Sequence, residues 1–478
     1  MLFNSVQFAI FFSIVTLAYF LTPHRFRWAT LLAASCAFYM AFIPIYIAIL
    51  AGTIVIDYIA GIVIERATGR TRRAALVASL VANIGVLAVF KYFNFFAGTI
   101  VTAAGAAGIT VSLPLLSIAL PIGLSFHTFQ AMAYTIEVYR GHQRAERHFG
   151  VYALYVMFYP QLVAGPIERP QNLLPQLRQR HRFDADRVAR GLKLMAWGLF
   201  KKVVIADRLA ATVNVAYAHP TTVNGPAMLL ATVFFAWQIY CDFSGYSDMA
   251  IGAAEVMGIT LMVNFRRPYL ARTTREFWTR WHISLSTWFR DYVYIPMGGS
   301  RSSRGRWVLV VMATFLLSGL WHGANVTFVV WGCLNGCFLV VGALTVAWRA
   351  RVRQALGLDR WPGVERVIQT SITFGLISIS WVFFRANTVA DALHIIGHLF
   401  DGRGSSLREL GVTGGQLALS IAVLLALPVL EALQAADDPR AAIADRPAWL
   451  RWTVYYAVIL LTISIGVFNQ SRFIYFQF

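Results

Sequence analysis

The chain has 478 residues, of which 58% are hydrophobic and only 13% are charged, and its mean hydropathy is +0.61. Soluble domains average about 25% charged residues, so this composition excludes an ordinary soluble protein. A net charge of +19 would indicate a nucleic-acid partner in a soluble chain. In a membrane protein the same excess collects in cytoplasmic loops, and we expect membrane lipid rather than nucleic acid as the surroundings.

Long apolar runs recur along the whole chain. A helix needs about 20 apolar residues to cross a hydrocarbon core of ~30 Å. Runs of this kind occupy residues 3–21, 28–64 with Pro44 as a break, 75–97, 113–134, 190–215, 226–260, 307–345, 366–384, 415–433 and 451–468. Because some could hold two helices, they predict an all-α polytopic protein with about ten to twelve transmembrane helices.

The first run has neither the basic flank nor the cleavage site of a signal peptide, so we expect it to remain as a helix. The intervals between runs are too short for a soluble core, which predicts one transmembrane domain over residues 1–478. Basic residues cluster in four short loops, at Arg66, Arg70, Arg72 and Arg73; Arg178, Arg180, Arg182 and Arg187; Arg301, Arg304 and Arg306; and Arg349, Arg351 and Arg353. Placing these loops in the cytoplasm puts both ends, including the tail 469–478, in the periplasm of a bacterial inner membrane.

The four cysteines are Cys36, Cys241, Cys333 and Cys337, and all lie within apolar stretches. They form no CxxC pair and have no histidines at the spacing of a zinc site. We expect them to act as small buried hydrophobic residues, and we predict no metal site.

Residues 158–170 contain Pro160, Gly165, Pro166 and Pro170. An uninterrupted transmembrane helix rarely carries so many helix breakers. A broken or re-entrant helix that lines a cavity is predicted here, with an ordinary surface loop as the alternative.

Polar residues interrupt the apolar run 226–260 at Asp242, Ser244 and Asp248. An ionisable residue inside an apolar segment is a candidate functional residue because its burial in lipid is costly. The two carboxylates could border one polar cavity. Alternatively, they cap or anchor the following helix.

The segment 275–292 alternates aromatic with charged residues and contains His282, Arg290 and Asp291. This pattern predicts an amphipathic interfacial helix with its tryptophans at headgroup depth. Its arginines could contact a phosphate-bearing donor, although lipid headgroups would explain them equally well.

A single histidine, His322, lies in the apolar run 307–345, with Gly319 and Gly323 near it and Asn325 just beyond. The glycines would let a substrate chain approach the imidazole closely. The alternative is a buried histidine with a structural role.

Transfer of an acyl group from a thioester to a hydroxyl needs a general base and donors for the oxyanion. Imidazole suits the first task because its unperturbed pKa is ~6.5. If His322 and His282 share a cavity, the first can act as base while the second orients it or polarises the thioester carbonyl. We find no GxSxG nucleophile elbow, so a covalent enzyme intermediate is not required.

Together these motifs resemble the bacterial branch of the membrane-bound O-acyltransferase family, and most closely its members that O-acetylate alginate. The matching motifs, in the family's order between residues 120 and 335, are Pro121–Phe126, Gly165–Ile167, Tyr240–Tyr246, Phe277–Ser286, Arg290–Tyr292, Tyr294–Gly299 and Leu320–Gly323. The resemblance implies a helical fold around a central tunnel. We expect six residues as candidates to line this tunnel or contact the substrate, namely Asp242, Ser244, Asp248, Arg290, Asp291 and Asn325. It also implies that His322 is the catalytic histidine and that His282 is the second motif histidine.

The resemblance further implies that the acyl group comes from a cytoplasmic thioester, with acetyl-CoA as the usual donor, and leaves at the outer face. There a separate periplasmic acetyltransferase of the SGNH type would modify a polysaccharide such as alginate. The last residues, 473–478, resemble a C-terminal acyl-accepting motif of such pathways, which makes Tyr475 a candidate acyl acceptor. An aromatic interfacial anchor is the alternative for Tyr475.

Two other functions remain open from the sequence. One is D-alanyl transfer to teichoic acid from a carrier-protein thioester, within the same family. The other is a polysaccharide-linked transporter, which would line its path with intramembrane charges and typically contain paired repeats. We find no repeat in the sequence.

Overall fold

The structure is a computed structural model that describes residues 1–113, 121–223, 225–402, 407–433, 438, 440, 443, 446–468 and 473–474. Throughout these residues the chain is helical or irregular and contains no strand, so the all-α prediction is confirmed. The described part of the chain packs as two compact units. The first unit comprises Met1–Met195 and Tyr246–Met262, and the second comprises Ala196–Gly245 and Val263–Phe478. The prediction of one transmembrane domain over residues 1–478 stays a prediction.

The helices of the first unit are α1 (Val6–Leu21), α2 (Arg27–Met40), α3 (Tyr46–Arg66), α4 (Gly69–Leu87), α5 (Phe93–Ala106), α6 (Leu124–Arg140), α7 (Phe149–Met157), α8 (Tyr159–Leu162) and α9 (Pro170–Arg178). Two helices contribute residues to both units, α10 (Ala185–Phe200) and α12 (Gly225–Val256).

The remaining α-helices belong to the second unit. They are α11 (Asp207–Ala218), α13 (Thr274–Arg280), α14 (Ile283–Phe289), α15 (Arg304–His322), α16 (Val326–Leu344), α17 (Val346–Ala355), α18 (Pro362–Arg385), α19 (Val389–His398), α20 (Gly414–Leu433) and α21 (Ala448–Ile465). Wider π-type turns occupy Ala88–Tyr92, Lys201–Ala206 and Arg290–Tyr294, and short 3₁₀ turns occupy His24–Phe26, Pro268–Leu270, Gly299–Arg301, Leu358–Arg360 and Leu407–Leu410.

Within the described residues, seven helical segments are long and apolar enough to cross a membrane, which agrees with a multi-pass protein. They are Tyr46–Arg66, Gly69–Ala106, Gly225–Val256, Arg304–His322, Val326–Leu344, Pro362–Arg385 and Ala448–Ile465. Two shorter apolar helices, Val6–Leu21 and Gly414–Val429, accompany them. Helix α12 is apolar on all sides and mostly buried in protein, as expected of a helix inside a helical core.

The helix interruptions predicted at the prolines are confirmed, whereas the cavity predicted beside residues 158–170 stays a prediction. Helix α2 ends at Met40 and α3 begins at Tyr46, so the run 28–64 is interrupted around Pro44. Around Pro160 and Pro166 the chain forms α7, the single turn α8 and then α9. Because the residues from 150 to 168 are all buried, the alternative of a surface loop is wrong.

The run 190–215 is not one straight helix. Helix α10 ends at Phe200, the π-type turn Lys201–Ala206 follows, and α11 begins at Asp207. Helix α12 lies close to the end of α10, because a Cβ on Gly245 would be 2.6 Å from the carbonyl oxygen of Gly198. A wide turn in the middle of a helix is often found at a functional site.

The prediction for the cysteines is only partly right. Cys241 is buried and Cys36 and Cys333 are half-buried, but Cys337 is exposed. It lies on α16, a candidate membrane span, so an apolar residue there can face lipid instead of the protein core.

Candidate active site

His322 is the last residue of α15 and is only 5% exposed. Its imidazole lies among three aromatic rings, with centroid distances of 4.9 Å to Trp321, 5.0 Å to Trp331 and 5.3 Å to Phe384. We call these three side chains the aromatic box. They come from α15, α16 and α18, so the packing of three helices sets the position of the ring.

The glycines near His322 serve helix packing, and the expectation that they admit a substrate is wrong. A Cβ on Gly319 would be 2.2 Å from the carbonyl oxygen of Phe328, and one on Gly323 would be 2.0 Å from the Phe328 ring. On α16, a Cβ on Gly332 would be 2.4 Å from the carbonyl oxygen of Phe315. The space left by the missing side chains is therefore filled by the facing helix.

Asn325 caps the helix that follows His322. Its side-chain oxygen accepts a hydrogen bond from the Thr327 amide at 3.0 Å, and its Nδ2 donates to the carbonyl of Asn387 at 3.0 Å. These contacts fix the connection between α15 and α16. The predicted role of Asn325 in lining a tunnel stays a prediction.

His282 lies in a sharp turn between α13 and α14. Its backbone has the left-handed angles φ 43° and ψ 54°, which are uncommon outside glycine. The prediction of one amphipathic helix over 275–292 is therefore wrong, because the chain reverses its helical twist at this residue. Trp281 and Trp288 are buried in protein, and their predicted position at headgroup depth stays a prediction.

Asn264, which sequence reasoning missed, organises the His282 turn. Its Oδ1 accepts hydrogen bonds from the Ser284 amide at 3.2 Å and the Ser284 hydroxyl at 2.9 Å, and lies 3.2 Å from Nδ1 of His282. Its backbone carbonyl also accepts from the Ile283 amide at 2.9 Å. No motif in the sequence marks this residue, and its side chain faces the turn only because the chain folds back.

The contacts of Asn264 fix the proton position on His282. The Ser284 amide can only donate, so the Asn264 atom facing it must be the oxygen. That oxygen can only accept, which places a hydrogen on Nδ1 of His282 and the ring lone pair on Nε2. Burial lowers the pKa of His282 to about 3, so the ring is neutral at pH 7.

The two histidines meet the same aromatic cluster. The Trp321 ring lies 4.9 Å from the His322 ring and 6.1 Å from the His282 ring. Phe243 of α12 contacts His282, with a distance of 4.6 Å between the two ring centroids. The structure therefore places both predicted catalytic residues around one indole.

Beside Phe243, α12 carries buried polar side chains that contact the π-type turn. Lys202 Nζ forms ion pairs with Asp242 Oδ1 at 2.5 Å and with Asp207 Oδ1 at 2.9 Å. Lys201 Nζ donates to Ser244 Oγ at 2.9 Å. We call these five residues the lysine cluster, in which the ion pairs of Lys202 offset part of the cost of burying its carboxylates.

Sequence reasoning identified Asp242 and Ser244 but missed Lys201, Lys202 and Asp207. The signal was present, since all three are ionisable residues inside the apolar run 190–215. Tyr240 extends the polar set, because its hydroxyl donates to Glu431 of α20.

The remaining predicted site residues are Asp248, Arg290 and Asp291. Asp248 is half-buried and belongs to the first unit, so the idea that it shares a cavity with Asp242 stays a prediction. Arg290 donates from Nε to Asp291 Oδ1 at 2.7 Å in the π-type turn after α14, and its side chain is largely exposed.

The C-terminal segment reaches the lysine cluster. Phe473 and Ile474 are buried, and the amide of Ile474 donates to Asp242 Oδ2 at 2.7 Å. The Phe473 ring lies 5.7 Å from the Phe243 ring. Tyr475, the predicted acyl acceptor, lies outside the described residues.

Comparisons with known proteins identify the family of the chain. The family model of the membrane-bound O-acyltransferases matches residues 16–384. The chain is 35% identical to a probable alginate O-acetylase AlgI of Pseudomonas putida and 35% identical to one of Azotobacter vinelandii, each over 100% of both chains. It is 33% identical to a peptidoglycan O-acetyltransferase of Helicobacter pylori, over 80% of this chain and 75% of that protein. The chain therefore belongs to the membrane-bound O-acyltransferase family and is a multi-pass membrane O-acyltransferase.

Proposed function

We propose that this enzyme takes an acetyl group from cytoplasmic acetyl-CoA and moves it across a bacterial inner membrane for O-acetylation of an envelope polysaccharide such as alginate. The observation that supports this most is the placement of His322 and His282 around Trp321. Similarity to alginate O-acetylases over the full chain supports the choice of acetyl group and polymer.

In the proposed reaction, His322 acts as the general base. The acceptor hydroxyl attacks the thioester carbonyl, and its proton moves to the imidazole as the new C–O bond forms. The C–S bond then breaks, and the thiolate takes the proton from the imidazolium.

The proton position on His282 favours an orienting role for this residue. With its hydrogen on Nδ1 and directed at Asn264, the ring offers an acceptor at Nε2 and no second donor. A neutral ring of this tautomer cannot donate to a thioester carbonyl from Nε2. It can accept a hydrogen bond from the hydroxyl or from an N–H group, and so hold the reacting groups in line.

We place the first acceptor hydroxyl on Tyr475, which would carry the acetyl group to a periplasmic partner of the SGNH type. Support comes from the neighbouring residues, since Phe473 contacts Phe243 and Phe243 contacts His282. Replacing Tyr475 with Phe keeps the ring and removes the hydroxyl. We expect acetylation of the polymer to stop, and undiminished acetylation would exclude the carrier role.

Purified enzyme supplied with radiolabelled acetyl-CoA and the partner's acceptor tests the role of His322. We expect His322→Ala to lose transfer while it retains its fold, and His219→Ala, at an exposed histidine, to keep it. Full activity of His322→Ala would refute the base role. Transfer that occurs only from a D-alanyl carrier-protein thioester would instead support the alternative reaction with teichoic acid.

A further inference from the structure

We propose that Asp242 is a positioning residue that holds the C-terminal segment against α12, next to the histidines. The contact between Asp242 and Ile474 does not depend on the reaction. Its role in positioning an acyl carrier rests on the proposed function. Asp242 is held at one oxygen by Lys202 and binds Ile474 with the other.

The contact between Asp242 and Ile474 is buried and charge-assisted. The Ile474 amide donates to Asp242 Oδ2 at 2.7 Å, and the two residues are 2% and 3% exposed. A backbone amide bound to a carboxylate makes a stronger hydrogen bond than one bound to a neutral acceptor. The two residues are separated by 232 positions in the chain, so this bond is a tertiary contact that ties the chain end to the core.

The pairing with Lys202 leaves one oxygen of Asp242 to a further donor. Asp207 and Asp242 both pair with Lys202 Nζ through their Oδ1 atoms. A buried charge is stable only when its remaining lone pairs are hydrogen-bonded. The Ile474 amide provides such a hydrogen bond to the second oxygen of Asp242.

A second attachment lies nearer to α21. The Val467 amide donates to the carbonyl of Val203 at 2.9 Å, and Val203 belongs to the same π-type turn as Lys202. The segment is therefore bound at Val467 and again at Ile474, both times beside the lysine cluster. Phe473 adds an apolar contact to Phe243, which itself contacts His282.

These attachments hold Phe473 and Ile474 against α12. Residue 475 follows directly after Ile474, whose amide is fixed to α12. Loss of the bond to Asp242 would leave the apolar contact of Phe473 and the hydrogen bond of Val467. We therefore expect the segment to leave its position when the carboxylate is removed.

Thiol labelling tests this expectation without any acyl chemistry. The reporter is Ile474→Cys, which keeps the backbone amide, in full-length protein that lacks the four native cysteines. Labelling by a water-soluble maleimide in detergent micelles should be slow, because position 474 is buried. Adding Asp242→Ala should raise the labelling rate by about tenfold or more, as local release exposes the thiol.

Two further variants separate positioning from general stability. Asp207→Asn alters the same lysine pair but leaves the Ile474 contact, so labelling should stay slow. Asp242→Asn keeps an oxygen that can accept from Ile474, and should label more slowly than Asp242→Ala. A second reporter, Thr373→Cys at a buried position of α18, should stay slow in every variant, which shows that the fold is intact.

An unchanged rate in Asp242→Ala, or an equal rise in Asp207→Asn, would overturn the proposal. Acetyl transfer measured on the same proteins, with native Ile474, separates it from the proposed function. If the segment is held by Asp242 but Tyr475→Phe still supports acetylation, the carrier role is refuted and the positioning role stands.

Discussion

The side-chain oxygen of Asn264 lies 3.2 Å from Nδ1 of His282 and fixes both the proton and the turn of that histidine. The two residues are 18 positions apart, so this contact depends on the loop between α12 and α13 folding back on itself. One oxygen supports a strained backbone, since His282 has left-handed angles that a histidine seldom adopts.

Replacing Asn264 with Ala should impair the enzyme through His282. The change leaves the Ser284 amide and the His282 Nδ1 hydrogen without their shared acceptor, which costs on the order of 2 kcal/mol of folding free energy. We expect a lower unfolding temperature and an acetyl-transfer rate reduced about tenfold or more, because the ring loses its orientation. Ser284→Ala removes only the hydroxyl donor and should have a smaller effect on both. Equal rates for Asn264→Ala and wild type would show that the turn does not position His282.

Gly319 and Gly305 lie on the same helix and provide a matched pair of substitutions. Ala at 319 would push against the carbonyl of Phe328, so α15 and α16 must separate, at a cost of about 1–3 kcal/mol. Ala at 305 meets nothing within 4 Å and should be neutral or slightly stabilising, because it favours the helix. Thermal unfolding in detergent measures the difference.

The same pair of substitutions distinguishes helix packing from substrate access. If Gly319 made room for a substrate, Gly319→Ala would raise KM for the acyl donor and leave the unfolding temperature unchanged. We expect instead that Gly319→Ala lowers the unfolding temperature. Any loss of activity should then result from this lower stability.

Properties that depend on neighbouring residues could be predicted from the sequence. The apolar helices, the interruption at Pro44 and the broken helix around Pro160 follow from hydropathy and from the missing amide hydrogen of proline. His322 was identified because an imidazole inside an apolar run is rare, and His282 because it lies in a motif that resembles the family, and the structure places both around Trp321.

Properties that depend on distant residues could not be predicted in this way. Nothing in the sequence connects Ile474 to Asp242, and a glycine near a histidine looks the same whether a substrate or a helix fills its space. Gly319 was therefore misinterpreted. Lys202 is a different case, because the rule that identified Asp242 applied equally to it.

Asn325 provides a test of capping against substrate contact. Asn325→Ala removes the acceptor for the Thr327 amide and should lower the free energy of unfolding by about 1 kcal/mol. Asn325→Asp restores that acceptor and loses only the hydrogen bond to Asn387, so it should recover most of the stability and activity. Loss of transfer in Asn325→Asp, at wild-type stability, would instead support contact with the substrate.

The buried, neutral ring of His282 predicts how stability changes with pH. Its pKa is about 3 in the folded protein and ~6.5 in an unfolded chain. The unfolded state therefore binds a proton below about pH 6.5 while the folded state does not, so stability is present above that pH and is lost as the pH falls. At pH 5 this one residue should lower the free energy of unfolding by about 2 kcal/mol relative to pH 8.

His282→Gln keeps a neutral amide that can donate to Asn264 and removes the titration. Denaturant unfolding of the two proteins across this range should show a shallower pH dependence for the Gln variant, by about that amount. Parallel curves would mean that the ring is protonated in the folded state, and a protonated His282 could not act as the acceptor that orients the reacting groups.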